Sequence, residues 1–357
     1  MDHLRRRNLL TPRCAELGVD ALLVTKLANV SYLTGFSGSS AMVLIGAAES
    51  VFFTDGRYDE QSRHEVPDLT RVASMESLAP VIRDHLRRLG VGRLGFERHA
   101  VTVAQLERWQ EMFEGVELAG VGEEVERLRW AKDAEELALL RSAQEATDGA
   151  FEDILELLVV GITERQAGAQ LELAMARHGG DGLSFDPIVA FGEHAAEPHH
   201  RPCHRALAEG DVIKLDFGAK VGGYHTDMTR TVAFGEPAPE LRKVHDVVAA
   251  AQQAGIDSLR PGVAAGDVDR AARSVIEDAG YGDRFTHGVG HGVGLEIHEG
   301  PSLRRDGEDV LPAGAVVTVE PGVYLPGMGG VRIEDTVEVS EEGPSVLGVS
   351  TRELIEL

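Results

Sequence analysis

The chain has 357 residues, a formal net charge of −24 and an apolar content of 43%. That length favours two domains, and that apolar content belongs to a globular chain rather than a disordered one. So negative a surface repels nucleic acid and anionic lipid, and no apolar run is long enough to span a membrane.

The start, MDHLRRRNLLTPRC, lacks the apolar run of a signal peptide, and a cytoplasmic location is expected. Cys14 and Cys203 are the only cysteines and lie far apart, which fits a reducing compartment better than a disulfide framework. DALLVT, AMVLIG and VFFTD then read as short apolar strands. SLAPVIRDHLRRLG reads as an amphipathic helix ended by glycine, GRLGFE as a strand and TVAQLERWQEMF as a helix. This alternation predicts a small α/β domain over residues 1–125.

The stretch GEEVERLRWAKD is charged, with little apolar periodicity, and reads as the boundary segment. A second domain is expected over 126–357. Asp133 and Glu136 form a capping-box pattern that opens the helix AEELALLRSAQEATDGAFEDILELL. The helix ERQAGAQLELAMARHG follows. Beyond residue 185 two strand groups alternate with two further helices, around LRKVHDVVAAAQQAGIDSL and AGDVDRAARSVIEDAG. The order helix, helix, strands, given twice, suggests a duplicated architecture without a residue-level repeat.

LDFGAKVGGYHTDMTRT is the most informative stretch. Gly222-Gly223 suits a two-residue hairpin turn, which sets Asp216 opposite Thr229. Asp227 then shares a face with Asp216, at roughly 7–8 Å between backbones. A solvent-facing polar hairpin is the competing reading. The apolar flanks VIKLDFGA oppose it, because a carboxylate buried there requires a compensating cation.

THGVGHGVGLEIHEG carries His287, His291 and His298. Its alternating glycines make a helix improbable and predict a tight loop in which backbone approaches a site closely. One of these histidines would be a metal ligand and the others would face substrate. In EPHHRPCH, His200 and His204 read as members of a polar surface loop. AVVTVEPGVY ends an apolar strand on Glu320. VRIEDTVEV, read as one strand, sets Arg332, Glu334 and Thr336 on one face. Two aspartates, two glutamates and a neutral imidazole would balance two divalent ions. The oxygen-rich donor set favours Mn²⁺, and the imidazole also admits Co²⁺ or Zn²⁺.

In that order, LDFGAKVGGYHTDMTRT, HGVGHGVGLEIHE, VEPGVY and VRIED resemble the pita-bread metallopeptidases, nearest to the proline-specific branch of aminopeptidase P and prolidase. SYLTGFSGSSAMVLI and FFTDGRYDEQ resemble the creatinase-like N-terminal domain of that branch. The resemblance implies a creatinase-like α/β domain followed by an α+β pita-bread catalytic domain. It implies Asp216, Asp227, His291, Glu320 and Glu334 as ligands of two ions, with Asp227 and Glu334 bridging. Glu320 would also accept the proton of the water held between the ions, leaving the attacking hydroxide. His199, His298 and His287 would line the substrate pocket, and Arg332 would support the site or the substrate.

The implied reaction removes a residue that precedes proline in a peptide. Aminopeptidase P is the first expectation, because TDGRY and the compact length suit that branch, and Xaa-Pro dipeptidase is the alternative. A creatinase-like hydrolase or a non-catalytic binding protein on the same fold would have lost ligands that this chain keeps. A homodimer is implied, with N-terminal domains helping to close the partner's site. The resemblance departs at Phe191 and Glu197, which it places near the pocket rim.

Overall fold

The computed structural model describes all residues from Met1 to Leu357, in two compact units, Met1–Arg129 and Trp130–Leu357. Six strands form one mixed sheet in the first unit: β1 (Ala21–Val24), β2 (Ala41–Gly46), β3 (Val51–Asp55), β4 (Thr70–Ser74), β5 (Arg93–Glu97) and β6 (Glu117–Val121). Their order is β4-β3-β2-β1-β5-β6. The helices of this unit are α1 (His3–Glu16), α2 (Leu27–Thr34), α3 (Asp59–Glu65), α4 (Leu78–Leu89) and α5 (Val103–Met112). Ile82, Leu86, Trp109 and Phe113 from α4 and the α5 region pack on Leu23, Leu44, Phe53 and Leu94 of the sheet.

The charged stretch read as a boundary contains the division between the two units, after Arg129, and is itself a helix, α6 (Glu124–Trp130). Its first turn carries Glu124 and Glu126 and its last turn Arg127 and Arg129, the charge order that a helix dipole favours. Apolar periodicity misses it because polar side chains anchor it. Buried Arg129 donates to Asn29 Oδ1 at 2.7 Å, and Glu126 accepts from Asn29 at 2.8 Å.

The second unit repeats one plan. Helices α7 (Ala134–Leu157) and α8 (Glu164–Arg177) precede β7 (Gly182–Leu183), β8 (Ile188–Phe191), β9 (Val212–Phe217), β10 (Ala219–Val221), β11 (Tyr224–His225) and β12 (Met228–Ala233). Helices α9 (Pro239–Ser258) and α10 (Ala265–Asp278) precede β13 (Gly290–Gly292), β14 (Glu299–Leu303), β15 (Ala315–Val319), β16 (Gly322–Leu325), β17 (Gly329–Arg332), β18 (Asp335–Ser340) and β19 (Gly343–Val346). Each helix pair covers its own sheet with a separate core. Phe151, Leu171, Leu215 and Phe217 belong to one, and Val248, Ile276, Val317 and Val337 to the other. The capping box at Asp133 forms as expected, with its side chain accepting from the N–H groups of Glu135 and Glu136.

Three local readings change. The histidine loop contains a strand, β13, with His291 at its centre. VRIEDTVEV is two strands, because the chain leaves the β16–β17 hairpin at Arg332 and joins the β15–β18–β19 sheet at Asp335. Phe191 is fully buried in the α7–α8 core, where its side chain packs among apolar neighbours rather than lining a rim.

Candidate metal centre

The hairpin register is the one its glycines require. Gly222 and Gly223 both have positive φ (56° and 86°), Val221 pairs with Tyr224, and Asp216 pairs with Thr229. The ladder breaks at residues 226 and 227. A Cβ on Gly218 would lie 1.8 Å from the Thr226 carbonyl oxygen, so only glycine permits this approach. The break leaves the Asp227 N–H to donate to Thr336 Oγ1 at 3.2 Å, which ties the hairpin to β18.

His291 is set by the glycines around it. A Cβ on Gly290 would stand 2.0 Å from the Thr318 carbonyl oxygen, and one on Gly292 2.2 Å from that of Gly300. Neither residue has positive φ, so close approach and not turn geometry is what demands glycine. His291 Nδ1 faces the Gly292 carbonyl oxygen at 3.0 Å. Nε2 therefore points at the carboxylates, 3.6 Å from Asp227 and 3.5 Å from Glu320.

Glu320 follows β15 directly, and its N–H donates to the Val289 carbonyl at 2.7 Å. Glu334 occupies the gap between β17 and β18. Its N–H donates to the Thr229 carbonyl at 3.0 Å, and its Oε2 accepts from the Thr229 hydroxyl at 2.6 Å. Donor atoms of Asp227, His291 and Glu334 all lie within 4.8 Å of one another. Asp216 joins them across the hairpin, held by the Arg332 guanidinium.

Such a cluster is costly without cations. Burial raises the Asp227 carboxyl well above its ordinary range, and the charges of Asp216 and Glu320 raise it further. Glu334 rises likewise through burial and the neighbouring Asp227, and Glu320 rises chiefly through burial. Asp227 Oδ1 and Glu334 Oε1 are buried with no hydrogen-bond partner. Orphaned carboxylate oxygens converging with an imidazole nitrogen are the donor set of a divalent cation, and the residues fit one.

Around this cluster lies a cavity of 280 Å³ lined by His199, His287, His291, His298, Glu320 and Arg332, among others. His199 and His298 are exposed to it, and the His298 ring sits 4.4 Å from that of His291. Burial and the neighbouring His291 lower the His298 pKa, which favours the neutral ring. His287 lies deeper, with burial pushing its pKa down to about 3. Its Nε2 accepts from the Tyr324 hydroxyl at 2.8 Å, and Arg332 donates to the same hydroxyl at 2.9 Å.

Several contributors escaped the motif reading. Thr229, Thr318, Tyr324 and Lys214 all touch the site or its supports. Thr229, Thr318 and Lys214 each carry a signal in strand periodicity. Thr229 is opposite Asp216, and Lys214 and Thr318 precede Asp216 and Glu320 by two residues. Buried Lys214, its pKa lowered to about 6 mainly by burial, donates to the Glu197 and Pro198 carbonyls just before His199. His200, read as a surface residue, is instead only 8% exposed. It packs against two carboxylates, Glu164 and Glu197.

Residues 138–341 match the model of metallopeptidase family M24, and residues 6–130 that of the creatinase/prolidase N-terminal domain. This chain belongs to metallopeptidase family M24. It is 32% identical over 342 residues to the Xaa-Pro dipeptidase of Pyrococcus furiosus, covering 95% of this chain and 96% of that one. The structure of an Xaa-Pro dipeptidase from Bacillus anthracis is similar at a TM-score of 0.97, with 36% identity and coverage of 99% and 100% of the two chains. An X-Pro aminopeptidase from Thermotoga maritima is similar at a TM-score of 0.91, with 33% identity over 99% and 100%. The chain is a proline-specific metallopeptidase of the pita-bread fold with a creatinase-type N-terminal domain. No helix is long and apolar enough to cross a membrane.

Proposed function

We propose that this M24 enzyme hydrolyses the bond between an N-terminal residue and a following proline, using Asp216, Asp227, His291, Glu320 and Glu334 to hold two divalent ions, with Mn²⁺ the first choice. The observation that carries this reading is the convergence of orphaned carboxylate oxygens with His291 at the floor of a histidine-lined cavity. When bound, such ions supply Lewis acidity and activate water at neutral pH.

The side chains do the rest. Glu320, raised by burial and exposed to the cavity, receives a proton from the attacking water and returns it to the proline nitrogen. His298 and His199 donate to the scissile carbonyl oxygen as it gains charge. Arg332 orients Asp216 through its guanidinium and Glu334 through Thr229. A bond to proline has no N–H to grip, so recognition through the carbonyl oxygen suits it.

Two peptide lengths fit this chemistry. Aminopeptidase P acts on longer peptides, and TDGRY and the compact length resemble that branch. The Xaa-Pro dipeptidases among the relatives favour a dipeptide. We therefore favour the dipeptidase. Comparing Ala-Pro with Ala-Pro-Ala under added Mn²⁺ tests this. Equal turnover of the tripeptide would return the assignment to aminopeptidase P, and turnover of neither would remove the proline-specific reading.

A further inference from the structure

A second cluster of ligating side chains lies apart from the five-residue centre. Glu164, the first residue of α8, is fully buried. Its Oε1 faces His194 Nδ1 at 2.8 Å, and its Oε2 faces His200 Nε2 at 2.9 Å. The two imidazole rings lie 4.5 Å apart and tilted by 32°, so their nitrogens converge on one carboxylate. Cys203, a free cysteine, completes the group. One donor atom from each of the four residues lies within 4.8 Å of the others.

The surroundings of His200 point to a cation. Its second nitrogen, Nδ1, lies 2.7 Å from Glu197 Oε2, so both ring nitrogens face carboxylates. A histidine that binds metal through one nitrogen characteristically donates the other N–H to a carboxylate. Here Nε2 faces the cluster and Nδ1 faces Glu197. The Glu164 carboxylate is oriented separately, by the N–H groups of Phe191 (2.9 Å) and Cys203 (3.0 Å). These backbone bonds leave the carboxylate free to exchange its two imidazole contacts for a shared ion.

Charge and donor type select the ion. The Glu164 carboxylate and a Cys203 thiolate neutralise a divalent cation, and two neutral imidazoles fill four-fold coordination. Sulfur and nitrogen donors favour Zn²⁺ over the harder Mn²⁺ suited to the oxygen-rich centre. Tetrahedral zinc requires donor separations of roughly 3.3–3.8 Å, so the two carboxylate–imidazole contacts of 2.8 and 2.9 Å would open by about 0.5 Å and the widest separations would close by up to about 1 Å. We propose that Glu164, His194, His200 and Cys203 form a third metal site, of zinc type. Because His194 and His200 flank His199, an ion there ties both sides of that residue to the start of α8.

Cobalt titration of the full chain, followed by absorption, tests the proposal. The five-residue centre contains no sulfur, so a thiolate-to-cobalt charge-transfer band reports Cys203 alone. The band is expected to grow to saturation, to vanish in Cys203→Ser, to persist in Cys14→Ser and to be displaced by Zn²⁺. Absence of the band from the wild-type chain, or its survival in Cys203→Ser, overturns the site. The readout does not depend on peptide hydrolysis, so it stands or falls separately from the catalytic reading.

Discussion

Thr229 offers a sharp test of how the centre is held. Its side chain is fully buried, donates to Glu334 Oε2 at 2.6 Å and accepts from Arg332 Nε at 3.0 Å. Thr229→Val removes that hydroxyl with little change of shape. Glu334 Oε1 already lacks a partner, so the glutamate would lose the only side-chain donor recorded on its carboxylate. A hydrogen bond to a charged group contributes about 1.5–3 kcal/mol. The two bonds share one hydroxyl and do not add fully, so a loss of about 2–4 kcal/mol is expected in the metal-free chain. Thr229→Ser keeps the hydroxyl and loses one methyl, at about 1 kcal/mol. Urea unfolding by circular dichroism compares the three proteins, and calorimetry measures their Mn²⁺ affinity. Freed from its orienting partner, Glu334 should bind the ion about 10–100-fold more weakly in the valine variant. A valine variant as stable as the serine one, with wild-type ion affinity, would refute the role of Thr229 and weaken Glu334 as a ligand.

Further outcomes follow from the same geometry. Gly290→Ala puts a Cβ 2.0 Å from the Thr318 carbonyl oxygen and displaces His291, so activity should fall on the order of 100-fold with the circular dichroism spectrum retained; unchanged activity would sink the close-approach argument. The carboxyls of Asp227, Glu320 and Glu334 are raised in the metal-free chain, so the stability they contribute is complete below the ordinary carboxylate range and is lost as pH rises through the raised values. An added cation pairs the charged forms, so the rise in melting temperature with Mn²⁺ should be larger at about pH 8 than at about pH 5, and an equal rise would contradict the assignment. Lys132→Met removes the ammonium 2.9 Å from Glu299, where both side chains are at most 2% exposed; a loss of about 3–5 kcal/mol in urea unfolding is expected, with partial recovery in Lys132→Met/Glu299→Leu.

Much of the local structure was legible from residue patterns. The glycine pair at 222 and 223 predicted the hairpin register, and with it Asp216 opposite Thr229, because side-chain alternation and turn geometry act within a few residues. The capping box at Asp133 was equally local. Patterns failed where polar contacts replace apolar ones. Helix α6 shows little apolar periodicity because Glu126 and Arg129 anchor it through Asn29. His200 looked like a surface residue because its partner Glu164 lies 36 positions away, on another helix.

By itself, then, the sequence determined the longer amphipathic helices, the hairpin and the five acidic and imidazole residues whose motifs match family M24. Only the tertiary structure decided that these residues meet. Asp216 and Glu334 are more than a hundred positions apart, and their approach depends on the strand crossing at Ile333–Glu334, on Thr229 between the two halves, and on glycines that let β13 lie against Thr318. The physical reason is that carboxylate repulsion opposes this cluster at every step. It persists because the pairing of β15 with β18 and the Thr229–Glu334 link are satisfied by backbone and hydroxyl groups, whose positions no local pattern encodes.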